Sequence, residues 1–473
     1  TDFSAWGNYS STAPDCDSNT CLRYAISGIA YAVAVAALKT PAYTQVAGEI
    51  LRNSVLRMVD LPTWQYIEAF RSFREQPTYP DPVAYKNIMY SGHLAQTLAL
   101  YEAVTGDLES FSEAGWEFVW GDKRIHYNTS KLLSTISAQT LVYGGHLATG
   151  GIPCEPDSIF LICNNFAHNA FLLSDATRHT KYSNFSHSWR GSVLDHARTG
   201  TPIIGTGQFF NLVYLIVPGI WDTLASVGSD LWALAWMTPW FSDTDIPGDD
   251  PLLSDAYAHV RGSDRWRDDG EGGQYLHGNR VGTRIFPFDD AITTSLYPLV
   301  EKQFAVTADE HTPGVYAWFE RRYGKLIDSD NDGEKDSYQY DCGTYTIFAT
   351  ANLLAGFVLP EETDQGFLPR LFRRGPALFN ATSPRVKHVA YPHVMVSSAE
   401  FVNNTLVFEI VAGDRPPLGC SPVVLSQLPP SGIRDITVQG APFTDWVAGP
   451  GVSEATLHVL RPTNTSVRYV VSV

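Results

Sequence analysis

Several signatures that usually announce an enzyme are missing from this sequence. There is no G-x-S-x-G elbow, which removes the hydrolase-type serine nucleophile as a first reading. There is no glycine-rich phosphate loop, no H-E-x-x-H and no pair of C-x-x-C motifs, so nucleotide and zinc chemistry have no visible seat. The 13 histidines do not gather at ligand spacing; His93, His126 and His168 stand apart. Long apolar runs are also scarce. The two longest, residues 25–38 and 209–221, fall short of the roughly 20 residues that span a bilayer, so no membrane span is expected. Positive charge is in deficit, with 33 Lys and Arg against 50 Asp and Glu and a net charge of −17. Such a surface repels phosphate backbones and anionic headgroups and argues against nucleic-acid or membrane binding. Six cysteines in 473 residues are too few for a disulfide framework, so the fold must rest on its core.

What is present is a well-buried globular chain, 44% apolar and 18% charged. It is too long for one growing core, which predicts one large domain and a smaller one. Twelve Trp, 23 Tyr and 24 Phe fit either a large core or an aromatic-lined cavity. N-glycosylation sequons at Asn8, Asn128, Asn184, Asn380, Asn403 and Asn464 point to the secretory pathway, with the protein lumenal or secreted. The opening "TDFSAWGNYSS" reads as the start of a processed or trimmed chain. Cys16 and Cys21, in "DCDSNTC", are placed for a small local disulfide, and Cys342 and Cys420 lie on either side of the expected domain boundary.

From about residue 20 to 360 the apolar residues recur at three- and four-residue spacing, segment after segment, between loops rich in Gly, Pro and Asp. "DPVAYKNIMYSGHLAQTLALYEAVTGD", with its opening Asp-Pro and closing Thr-Gly, is one example. The expected fold is therefore mainly α: an (α/α)6 barrel over 22–375, preceded by an N-terminal arm, 1–21. A helical bundle or repeat array is the alternative, although no repeated period is visible. After residue 380 short β-branched runs such as "NTLVFEIVAG" and "SVRYVVSV" take over, and a C-terminal β-sandwich is expected over 376–473.

Three segments carry chemistry. In "NIMYSGHLAQ" Met89 and His93 are four apart and share a helix face, a soft apolar group beside a titratable one. In "GGIPCEPDSIFLICNN" Pro153 and Pro156 keep Cys154 in a loop, while Cys163 can open a helix whose N–H groups and dipole stabilise a thiolate. The two cysteines can act as thiols across a bound ligand, form a short-loop disulfide, or lie buried and inert. In "DCDSNTCLRYA" Asp15, Asp17 and Tyr24 stand at the opening of the first helix.

Together, in this order, these segments resemble the linalool dehydratase-isomerase family. The resemblance is carried by Met-x-x-x-His, by the nine-residue cysteine spacing and by the helix "LRYAISGIAYAVAVAAL", and it covers the helical region; the β region looks like an addition. It implies an acid–base site with no organic cofactor, acting on a small hydrophobic isoprenoid. By that resemblance Cys154 and Cys163 flank the reacting carbons, His93 binds or protonates the hydroxyl, and Met89 lines the pocket. An Asp and a Tyr complete the set; Tyr24 matches by position, and Asp17 is preferred to Asp15 although the spacing departs by one residue. In the family this pair can come from a neighbouring subunit, so oligomeric state matters to the site, and a homo-oligomer is one of the expected states.

Such chemistry needs an acid at oxygen, a base at a neighbouring C–H and a dry pocket for the cation-like intermediate. Trp64, Tyr66 and Phe160 are candidate aromatic walls, or else core residues. A separate stretch, "DSDNDGEKDSY", places Asp328, Asp330, Asp332 and Asp336 like the start of a calcium loop. Gln339 replaces the bidentate Glu, so a structural Ca2+ and a solvated acidic turn both remain open. The expected activity is dehydration, hydration, isomerisation or cyclisation of a terpenoid-like or other natural-product intermediate. The rivals are a polysaccharide lyase or glycosidase, with "WRDDGEGG" (266–273) supplying acids, and a carrier of hydrophobic ligands.

Overall fold

The computed structural model describes residues 22–67, 81–84, 86–147, 150–154, 158–196, 198, 209–216, 219–222, 227–277, 290–304, 311–327, 337–340, 366–379, 381–391, 393–413, 420–448, 453–460 and 466–473. Within them the helices are α1 (Leu22–Ala36), α2 (Gln45–Val59), α3 (Leu61–Trp64), α4 (Ile88–Thr105), α5 (Thr129–Leu147) and α6 (Leu161–Arg178), followed by α7 (Ser186–His196), α8 (Val227–Phe241), α9 (Pro251–Arg261), α10 (Asp290–Phe304), α11 (Thr312–Tyr323) and α12 (Phe367–Phe379). A helical region followed by a β region, as the sequence predicts, is what forms.

Three helices make the centre. Every residue of α4 from Ile88 to Val104 is buried, and α8 is buried along its whole length. A helix that is apolar on all sides has to be enclosed by others. α4 packs against α6, α6 against α8, and α12 lies on all three. Gly92 sets the closest approach: a Cβ there would sit 3.2 Å from the Ala167 amide nitrogen and 3.3 Å from Phe166 Cβ, so a larger residue would push α4 off α6. α4 ends on Gly106, whose φ of 73° suits glycine and whose N–H returns to the Glu102 carbonyl. At this end Arg178 of α6 grips Glu102 with two bonds of 2.6 and 2.7 Å and also donates to the Leu108 carbonyl and the Ser112 hydroxyl. Thr129, opening α5, donates to the same carboxylate at 3.0 Å, so three helix ends meet on one buried charge.

Residues Leu22–Lys39 have the length and apolarity of a membrane-crossing helix, but 67% of the stretch is buried inside the fold and it turns Arg23, Ser27 and Tyr31 into protein contacts. It is built as a core helix. The apolar run at 209–221 is β structure: β4 (Val213–Leu215) pairs with β5 (Ile220–Asp222), and β3 (Ser158–Phe160) adds to the other edge of β4. Its Val, Ile and Tyr content and the turn at Gly219 favour strands over a helix.

The C-terminal region holds a pair of antiparallel sheets, of four and five strands, which share one core. That core includes Val386, Leu425 and Leu457 from one sheet and Leu406, Phe408 and Val471 from the other. The last helix ends at Phe379 and the first strand of this region begins at Arg385. The loop after α1 belongs to the same core. Ala42 donates to the Ala399 carbonyl at 3.0 Å and accepts from the Val386 amide at 2.9 Å, and Tyr43 is buried beside them.

Candidate active site

Four elements converge around His93. From α1, Tyr31 brings its hydroxyl to 2.6 Å from His93 Nδ1, and its ring lies nearly parallel to the imidazole, 19° apart. From α6, Phe166 stacks on the imidazole at 3.8 Å. From α8, Trp236 packs on Tyr31 and Phe166, and Trp232 on Phe166 and Tyr24. Tyr24 meets the His93 ring edge-on at 5.6 Å. The spacing explains the convergence: Tyr24 and Tyr31 are two turns apart on α1, Trp232 and Trp236 one turn apart on α8, so each pair faces one way. Met89, one turn before His93, is buried on the same helix.

Burial, with the Arg23 charge adding to it, holds the His93 pKa well below the usual imidazole range, so the ring is neutral at neutral pH. When the Tyr31 hydroxyl donates to Nδ1, the hydrogen sits on Nε2, which is buried and has no partner among the described residues. The ring therefore offers one N–H to a ligand oxygen.

Cys154 and Cys163 are both buried and both thiols. Cys163 is the third residue of α6, where backbone N–H groups favour a thiolate. The loop carrying Cys154 is latched to that helix by Asn164, which accepts from the Ile152 amide at 2.8 Å and donates to the Ile152 and Phe160 carbonyls. The Ile88 amide bonds the Pro153 carbonyl, which ties the loop to α4 as well. Asn165 holds α6 to α8 by donating to the Ala233 carbonyl and accepting from the Trp240 indole.

Tyr24 meets the imidazole through its ring, and its hydroxyl feels the charge state of the thiols. Its pKa is raised well above the ordinary phenol value chiefly by burial, Arg23 opposes this, and charge on Cys154 or Cys163 would raise it further. Both sulfurs thus lie within electrostatic reach of that oxygen. Arg23 donates to it at 2.9 Å and is sandwiched between the rings of Tyr24 and Tyr66, 4.2 and 4.1 Å from their centroids. Tyr66 is held by Asn87 at 3.0 Å.

Of the residues singled out from sequence, Tyr24, His93, Cys154 and Cys163 come together, with Tyr66 reaching the group through Arg23. Phe160 caps α6 and is buried. Trp64 goes elsewhere: its indole donates to the Val59 carbonyl and its ring packs on Phe118 and Trp120. Asp17, with Cys16 and Cys21, lies outside the described residues, as do Asp328, Asp330, Asp332 and Asp336, Asn8, Asn380 and Asn464. Asn184 and Asn403 are exposed, whereas Asn128 is half-buried with its amide engaged by Ser112 and Lys131. The "WRDDGEGG" segment is a hairpin in which Asp269 is paired with Arg321. Tyr31, Phe166, Trp232 and Trp236 were not anticipated from sequence. Their signals were there: Tyr31 seven residues after Tyr24, Phe166 one turn after Cys163, and three Trp at four-residue intervals in "DLWALAWMTPW".

Beside the site Asp230, in the first turn of α8, accepts the Phe209 and Phe210 amides at 2.8 and 2.9 Å. Burial pushes its pKa up to about 7 against the pull of those bonds. The native state therefore holds a proton that the unfolded chain releases above about pH 4, and stability falls as pH rises from there to about 7, by on the order of 4 kcal/mol. Urea unfolding across that range should show the slope in the wild type and a flatter one in Asp230→Asn.

The site is an aromatic box around a neutral imidazole, with two buried thiols and a phenol nearby. The family model for linalool dehydratase/isomerase matches residues 23–246, the span that holds all of these groups. The helical region is similar to that family over this span, a little under half of the chain.

Proposed function

We propose that the protein acts, without an organic cofactor, on a small allylic alcohol of isoprenoid type, removing water or moving the hydroxyl along the allyl system. The gathering of Cys154, Cys163, Tyr24 and His93 within one aromatic enclosure carries this reading. The neutral imidazole holds the hydroxyl through Nε2–H while a thiol protonates it. The C–O bond breaks, water leaves, and the positive charge spreads over three carbons. A thiolate then takes a proton from the carbon next to the cation, giving a diene, or water returns to the far end of the allyl unit, giving the isomeric alcohol. Either way the site regains its protons. The faces of Phe166, Trp232 and Trp236 stabilise the cation, and their bulk keeps out stray water. We read the helical region as an (α/α)6 barrel, the site as completed by Asp17 from this or a neighbouring subunit, and the protein as N-glycosylated and lumenal or secreted.

The test is incubation with linalool and gas chromatography of the products. A triene 18 Da lighter, or an isomeric primary alcohol, is the expected result; recovery of linalool alone, with saturable binding, would favour a carrier. Because His93 is neutral throughout, turnover should show no break near pH 6.5; a fall in rate above that pH would mean that an imidazolium supplies the proton.

A further inference from the structure

One turn beyond the site, the same two helices frame a second cavity, of about 260 Å³. His168 of α6 and Trp240 of α8 form its wall, their rings tilted at 34° with centroids 4.6 Å apart, and the polar lining includes Ser186, His187, Arg190, Asp243 and Arg373. Two buried nitrogens have no partner among the described residues: His168 Nε2 and Arg190 Nε. His168 is 2% exposed, and its Nδ1 lies 2.8 Å from the Ser186 hydroxyl. When that hydroxyl donates to Nδ1, Nε2 carries a hydrogen, so both orphan atoms are donors. Leaving two donors dry and unmatched is costly, and native structures seldom do so without a ligand or water to satisfy them.

The charge around the cavity has the matching sign. Two arginines face one aspartate, in a chain whose net charge is −17. Arg373 is turned toward Asp245 and the Pro239 carbonyl, which fixes its guanidinium in place. Arg190 lies over the Phe241 ring, 5.3 Å from its centroid, and its Nη2 meets the largely exposed Asp243 at 3.0 Å. Its inner Nε is left for something else. We propose that this cavity is a binding site for a small oxyanion, a carboxylate or a phosphate, whose oxygens bridge Arg190 Nε–H and His168 Nε2–H, while Asp243 competes for the same guanidinium. The Trp240 face and Leu172 leave room for an apolar substituent beside the anionic group. The site is independent of the dehydratase reading, since it shares helices with the thiols but none of their side chains.

Titration calorimetry on the whole chain, in a chloride buffer free of oxyanions, tests this with sodium acetate and with inorganic phosphate. The expected result is saturable binding of one anion per chain. Acetate binding the tighter would make the ligand a carboxylate; phosphate binding the tighter would make it a phosphate. Arg190→Gln should weaken the preferred anion about tenfold or more, the loss of one charge-assisted bond. Asp243→Asn should tighten it several-fold by removing the competing carboxylate, and this substitution at an exposed position leaves the fold untouched. No saturable heat with either anion, unchanged affinity in Arg190→Gln, or weaker binding in Asp243→Asn would each overturn the proposal.

Discussion

Replacing Cys163 with Ser is expected to lower turnover of an allylic alcohol by about 10²–10⁴-fold, the range that a positioned acid or base contributes. The change is small in volume and keeps a hydrogen-bonding group at the third position of α6, so the helix and the Asn164 latch survive it. What it removes is acidity. A thiol near pKa 8.5 exchanges its proton at physiological pH, more readily still at a helix N-terminus, and a serine hydroxyl does not. Cys154→Ser should cost as much, but with a different pH profile, because the loop thiol lacks the helix dipole and acts in its protonated form. Product formation by gas chromatography, alongside an unchanged thermal transition, is the measurement. Full activity in either variant would take that sulfur out of the chemistry and leave the phenol of Tyr24 as the proton donor.

The second large effect concerns stability. Arg178→Met should destabilise the fold by about 3–5 kcal/mol, the cost of leaving one partner of a buried ion pair alone. Glu102 is 1% exposed, and its carboxyl is already pushed above its normal range by burial, with Arg178 the main force holding it down. Without the guanidinium the carboxyl must take up a proton or draw in water, and the Leu108 carbonyl and Ser112 hydroxyl lose their donor too. The urea midpoint should fall at neutral pH and recover in part as the solution is acidified toward the range where Glu102 protonates. A drop that ignores pH would mean that lost packing outweighs lost charge. The double change Glu102→Gln with Arg178→Met should recover much of the loss, because no charge then remains buried.

Much of this was legible in the chain. The three- and four-residue spacing located the central helices, and β-branched alternation located the sandwich. Two prolines were enough to put Cys154 in a loop and Cys163 at a helix start. The pairing of elements was harder to see. Nothing local to Tyr31 says that its hydroxyl finds a histidine 62 residues away, and nothing local to Trp64 says that it turns toward Phe118. His168 looked like an isolated core histidine, and only its unsatisfied nitrogen beside Arg190 distinguishes it. The strands at 213–222 were hidden because a short apolar run reads equally as helix or sheet until a partner such as β3 is known.

The bond from Ala42 to Ala399 has a consequence for cooperativity. α1 carries Arg23, Tyr24 and Tyr31, yet the loop that follows it is held by backbone more than 340 residues downstream, near Thr44's partner Arg385. Because Ala42 and Tyr43 are part of the sandwich core, loosening the sandwich also releases the loop at the end of α1, so the helical and β regions are expected to lose structure together in urea.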